Sequence, residues 1–382
     1  MNDRNVVLRK ILEQAGYVLA ENNGVVEPMI SDELDVLPRV LAFEAITKQI
    51  IARSVPIFSA RMDRKKQGLI LHYGRLGTDA LRLLSLPNKD MILKHFPRHD
   101  LTPYFDLVWK MAEKSEVLNQ PLTLLPLGVG LEDYRVRNMA DCLNKWCEEI
   151  QKKGQSQQFR EKIDNYRRAA RKTAQGLKSY QRRILHRHPT LEVVRLDLTY
   201  RKPGLLELEP PAPMTFDEIT SHRKALVKFL QKSSISKYLL GFAWKLSYAL
   251  LRGFNIHLLL LLKRSDDHAF GSIVGGHWNK TITKGRGIYF DCIKFGAGYR
   301  SSGFISHNVT AMAWQFDNVA LFMTWPDLLV KLRVPKNGRS FGKGQIKGDR
   351  SKGKKTRSPQ IQSNLIRELK KLTPRLLRKK TV

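Results

Sequence analysis

Gly253-Phe254-Asn255-Ile256-His257-Leu258-Leu259-Leu260-Leu261-Leu262 is the stretch whose reading decides the fold. A glycine turns the chain into a run with no formal charge. A run this apolar suits the centre of a sheet covered on both faces. Strand side chains alternate with period two, so Asn255 and His257 share one face while Ile256 and Leu258 take the other. His257 is therefore expected to look into a polar pocket rather than the closed core.

The neighbouring segments extend this sheet. Leu239 to Ala249 reads as the preceding strand, with Arg252-Gly253 as the turn between the two. Leu191 to Tyr200 reads as another, with Val194, Leu196 and Leu198 alternating against Arg195, Asp197 and Thr199. After a proline-rich loop (Pro203 to Pro213), Thr215-Phe216-Asp217-Glu218 has capping-box spacing and starts a helix reaching about Lys232. A helix near Ala269 to Lys280, a strand at Gly287 to Ile293 and a helical stretch around Ala311 to Val330 follow. The order strand, helix, strand, strand, helix, strand, helix predicts an α+β domain over 190–345, an antiparallel sheet with helices packed on one face.

The rest of the chain divides by composition. Residues 1–150 read as mainly helical, with helical spacing over Val36 to Met62 and Leu131 to Ile150 and interruptions at Pro97, Pro103, Pro121 and Pro126. This region carries no catalytic motif. The glycines of Leu127-Gly128-Val129-Gly130 are too few for a phosphate loop, and an accessory domain with a protein partner is expected. Residues 151–189 read as a basic helical linker. From Lys331 to Val382 there are 18 Lys or Arg against Asp349 and Glu368, which reads as a flexible polycation as far as about Pro359. Residues 346–382 are its tail proper.

The chain of 382 residues has 67 Lys and Arg against 35 Asp and Glu, a formal charge of +32. That balance favours a polyanion partner, with DNA first. The phosphate-contact candidates are Arg167, Arg168, Arg171, Lys172, Arg182 and Arg183 in the linker, then Lys284, Arg286, Arg339 and Lys343. His186-Arg187-His188 ends the basic helix and suits phosphate better than metal. His277 and His307 are isolated. Cys142, Cys147 and Cys292 have neither zinc-site nor disulfide-framework spacing, so reduced thiols in a cytoplasmic protein are expected. No signal peptide is visible. Lys245, Arg252, Asn255 and His257 interrupt Leu239 to Leu262, the best membrane candidate, and no membrane partner is expected.

Four stretches carry a family likeness: Val194-Arg195-Leu196-Asp197-Leu198-Thr199-Tyr200, Gly241-Phe242-Ala243-Trp244-Lys245-Leu246, Gly253 to Leu260, and Lys284-Gly285-Arg286-Gly287-Ile288-Tyr289-Phe290, with Gly338-Arg339-Ser340-Phe341-Gly342 downstream. Together they resemble the gene II-type replication initiators of filamentous phages (inoviruses) and their prophage relatives, including the YagK/YfjJ C-terminal domain family. The resemblance covers roughly residues 190–345. It implies a His-hydrophobic-His endonuclease fold that nicks single-stranded DNA for rolling-circle replication. In that chemistry a divalent metal on two histidines and a nearby acidic or polar group polarises the scissile phosphate, a tyrosine attacks it, and a lysine assists.

Carried over residue by residue, the resemblance implies a damaged site. Ser247 occupies the place of a glutamate and Asn255 that of the first histidine, while His257 remains. Asp197 is either a metal neighbour or a partner for Arg195. Phe322-Met323-Thr324-Trp325 aligns with the Tyr-x-x-Lys element, so Phe322 stands at the nucleophile position and Trp325 at the lysine. Tyr299 or Tyr289 is the alternative, displaced nucleophile. A remnant site of this composition would hold Mg2+ or Mn2+ weakly or not at all. Three readings follow: a DNA-binding protein with nicking lost or reduced, an active endonuclease with an atypical tyrosine, or a basic scaffold for RNA or protein.

Overall fold

The computed structural model describes residues 17–22, 25–30, 33–63, 68–120, 132–201, 214–250, 253–264, 269–292, 303–306 and 319–346. The chain divides into two compact units, Met1–Gly344 and Gln345–Val382. Nearly all of the second lies outside the described residues, including the expected tail from 347 onward.

The N-terminal part is not only helical. Strands β1 (Tyr17–Asn22) and β2 (Val25–Ile30) form one antiparallel hairpin. Helix α1 (Glu33–Ala52) ends well short of Met62, and the chain then becomes β3 (Phe58–Asp63), paired with β4 (Gly68–Tyr73). Apolar spacing alone did not separate helix from strand here. Pro56 interrupts the helical segment because it lacks an N–H. Asn144 then holds the new strand, its Oδ1 accepting from the Ile57 and Phe58 amides at 3.2 and 3.1 Å and its Nδ2 donating to the Phe58 carbonyl at 2.9 Å. Helices α2 (Arg75–Leu83) and α3 (Leu86–His95), strand β5 (His99–Leu101) and helices α4 (Pro103–Lys114) and α5 (Asp133–Gly154) follow. Phe43, Phe105, Leu143, Trp146 and Ile150 lie at the centre of this core.

Helix α6 (Gln157–Arg187) is the basic segment, started by Ser156, whose hydroxyl accepts from the Phe159 amide. It leads into β6 (Thr190–Tyr200). Helix α7 (Phe216–Lys232) begins where expected, with the Thr215 hydroxyl accepting from the Glu218 amide at 3.1 Å. The hairpin β7 (Leu239–Ala249) and β8 (Gly253–Leu262) turns at Gly253, whose φ of +69° needs glycine. Helix α8 (Phe270–His277), β9 (Gly287–Asp291), β10 (Gly303–Ser306), β11 (Val330–Leu332) and β12 (Phe341–Lys343) complete the unit.

The main sheet is antiparallel in the order β10-β6-β8-β7-β12, and β9 shares the outer edge of β6 with β10. One face carries Leu196, Leu198, Ile256, Leu258, Leu260, Trp244 and Leu246. Ile219, Leu226 and Leu230 of α7 cover it with Phe270 and Val274 of α8. The other face is covered as well, which corrects the expectation of helices on one face. There α6 packs so closely that a Cβ on Gly241 would lie 2.4 Å from the Tyr180 hydroxyl and 2.5 Å from Ile184 Cδ1. Helical residues 319–324 and the 3-10 turn Trp325–Leu328 join it. The physical reason is that Leu259 and Leu261 are fully buried, like Leu258 and Leu260 on the opposite face.

Residues 330–346 are also folded, contrary to the reading of this stretch as the start of a flexible polycation. Strand β11 pairs with β5, and β12 closes the sheet on β7. Gly342 permits that closure, since a Cβ there would sit 2.4 Å from the Trp244 ring.

Candidate functional site

The register places Asp197 and Lys245 directly opposite His257 on its two flanks, and Ser247 opposite Asn255. His257 Nδ1 lies 2.6 Å from Asp197 Oδ1. On the other side of the ring, Nε2 lies 3.0 Å from Ser247 Oγ and 3.2 Å from Asn255 Nδ2. Ser247 Oγ donates to Asn255 Oδ1. In one assignment Nδ1–H donates to the Asp197 carboxylate, the Asn255 amide donates to Nε2, and the Ser247 hydroxyl donates to the Asn255 carbonyl; Ser247 Oγ then stands beside Nε2 with no proton between them. Asp197 is thus the orienting partner of His257.

Phe322 covers this cluster. Its ring stands edge-on to the His257 imidazole with centroids 5.2 Å apart, and the Arg195 guanidinium lies 4.1 Å from its centroid. Arg195, expected on a polar strand face, is 1% exposed. The residue aligned with the nucleophile does reach the histidine, but as a phenyl ring.

A cavity of about 80 Å³ opens beside the cluster, lined by His99, Lys245, Ser247, Asn255, His257 and Phe322. Lys245 Nζ donates to Asp327 Oδ2 at 2.5 Å and to Ser340 Oγ at 3.4 Å. His99, from β5, has its pKa pushed down to about 4 by burial and then by the Lys245 and Arg333 charges. Its Nδ1 is buried without a hydrogen-bond partner among the described residues. Neither Lys245 nor His99 was singled out from the sequence as a site residue. The visible signal was a lysine inside an otherwise apolar strand; nothing local pointed to His99.

These donors do not fit a divalent metal. Both His257 ring nitrogens are engaged within the protein, Asn255 and Ser247 are neutral, and Asp197 is the one carboxylate in the cluster. Among the described residues no group of three His, Cys, Asp or Glu has metal-binding placement. What the arrangement can do is hold an oriented imidazole against a carboxylate, a hydroxyl and an amide.

Tyr289 is placed on the opposite sheet face, opposite Leu198, packed on Gly275 of α8, so it does not reach His257. Tyr299 and His307 lie outside the described residues. His277 stacks on Phe229 at 3.7 Å. Cys142, Cys147 and Cys292 are free, and burial pushes the Cys147 and Cys292 thiols up to about 12. Leu239 to Leu262 is a β-hairpin, and among the described residues no helix is long and apolar enough to cross a membrane.

The basic candidates divide. Arg168, Arg171, Lys172, Arg182 and Arg183 are exposed along α6, as are Lys284 and Arg339 on the loops after α8 and before β12. Arg167 is not exposed: it pairs with Glu44 at 17% and 14% side-chain exposure. Lys343 donates to the Gly176 carbonyl at 2.8 Å and lies over the Tyr180 ring, joining β12 to α6. Arg286 is paired with Glu218. No family model matches the chain, and no curated protein or solved structure matches it either.

Proposed function

We propose that the protein binds DNA and has lost the nicking activity of the replication initiators it resembles. The observation that carries this reading is Phe322 seated on the His257 ring, with both ring nitrogens already engaged by Asp197, Ser247 and Asn255. A phenyl ring has no oxygen to attack phosphorus, and the surrounding donors hold Mg2+ or Mn2+ weakly or not at all. The exposed cations of α6 support phosphate binding, with residues 1–150 available to a protein partner. The setting this implies is cytoplasmic control or replication of a prophage or mobile element.

The test is labelled single-stranded and supercoiled DNA, with Mg2+ or Mn2+ added. The expected result is binding that weakens at least about tenfold between about 50 and 200 mM salt, with no covalent adduct. A protein–DNA adduct abolished by Tyr299→Phe or Tyr289→Phe would overturn the inactive reading. Absence of binding at low salt would remove the DNA reading itself.

A further inference from the structure

Resting on that nucleic-acid reading, we propose that Trp325 is a base-stacking platform for single-stranded nucleic acid, in a groove beside α6. The 3-10 turn Trp325–Leu328 packs against α6 and leaves a cavity of about 180 Å³, lined by Ala170, Arg171, Ala174, Gln175, Lys178 and Trp325. The two buried alanines keep the helix side of the groove shallow. Trp325 is half-buried, so part of its indole is open to the cavity.

The charge around the groove is ordered. Arg168, Arg171, Gln175, Lys178 and Arg182 follow one another at intervals of three and four residues, which puts them on one stripe of α6. Each step advances about 5 Å along the helix axis. Arg168, Arg171 and Arg182 are exposed, and Arg171, Gln175 and Lys178 also line the cavity. A line of cations beside a recessed indole matches the two needs of a single strand: charge along its phosphates and a π-face for an unstacked base. A duplex keeps its bases stacked inside and offers a groove of this size nothing to insert. Gln175 lines the same cavity and brings an amide able to hydrogen-bond a base edge. The polar cluster at His257 opens on a different cavity, lined by Ser247, Asn255 and Phe322.

The experiment uses the full chain with labelled oligo(dT), oligo(rU), an abasic strand of the same length, and anionic vesicles. Trp325→Ala is expected to weaken oligo(dT) binding about tenfold, to leave abasic binding unchanged and to leave the salt dependence unchanged. Trp325→Phe, which keeps an aromatic face and guards against a packing artefact, should retain most of the affinity. The fluorescence difference between wild type and Trp325→Phe should be quenched by oligo(dT). Equal or tighter oligo(rU) binding with the same Trp325 dependence supports stacking and assigns the ligand to RNA. Oligonucleotide binding indifferent to Trp325, or equal for abasic and base-bearing strands, overturns the stacking inference and leaves the DNA reading standing. Preference for vesicles over every oligonucleotide overturns both, as does failure of the wild type to bind any strand at low salt.

Discussion

Replacing Asp327 by alanine should destabilise the protein strongly, through the lysine it leaves behind. Lys245 sits in the middle of β7, beside His257, with its side chain 5% exposed, and the Asp327 carboxylate facing it is 18% exposed. Removing one member of a buried pair leaves an uncompensated charge and costs about 3–5 kcal/mol. The Ser340 hydroxyl at 3.4 Å remains as a partial substitute, which points to the lower end, about 3 kcal/mol. Against a typical total of about 5–15 kcal/mol this is a large fraction. Urea unfolding should show a lower midpoint with an unchanged slope. Changing both partners, Lys245→Met with Asp327→Leu, should recover most of the loss because no charge is then buried. A cost below about 1 kcal/mol for Asp327→Ala, or a double variant less stable than the single one, would refute the reasoning.

Three further outcomes follow. The His99 pKa near 4 lies below the unfolded value of about 6.5, so the unfolded chain takes up a proton that the folded protein refuses. The stability His99 leaves intact above about pH 6.5 is therefore lost as pH falls toward about 4, by about 3 kcal/mol in all; His99→Phe should flatten this loss in urea midpoints compared at about pH 7.5 and about pH 5. Gly275→Ala should cost about 1–3 kcal/mol, since its Cβ would lie 2.2 Å from the Tyr289 ring, and an unchanged thermal midpoint would refute that packing. Asn255→His combined with Ser247→Glu should bind Mn2+ more tightly than wild type by isothermal titration, and no gain would show that the sheet face is not a remnant ligand array.

Much of the sheet domain was legible in the sequence because its signals are local. Aromatic and aliphatic richness, a continuous apolar run and one turn glycine gave the hairpin of β7 and β8, with β7 bounded at Leu239 and Ala249 as read. The Thr215 capping box gave the start of α7. Period two put Asn255 and His257 on one face, and the structure adds Ser247 and Asp197 from the flanking strands. By contrast, the N-terminal strands were hidden, because apolar spacing in short runs does not separate a helix from a half-buried strand.

The chain alone determined the central strands of the main sheet, which of their side chains share a face, and that the formal charge is strongly positive. Each of these depends on residues a few positions apart. Only the tertiary structure decided that Phe322 covers His257, that Asp327 neutralises Lys245 and that β11 and β12 return to β5 and β7. It alone also decided which cations are tied to groups far along the chain, as Arg167 is to Glu44 and Lys343 to the Gly176 carbonyl. These contacts join residues far apart along the chain, where no periodicity reaches. Their partners are set by the packing that covers both faces of one apolar sheet, and not by the short-range pattern of either segment.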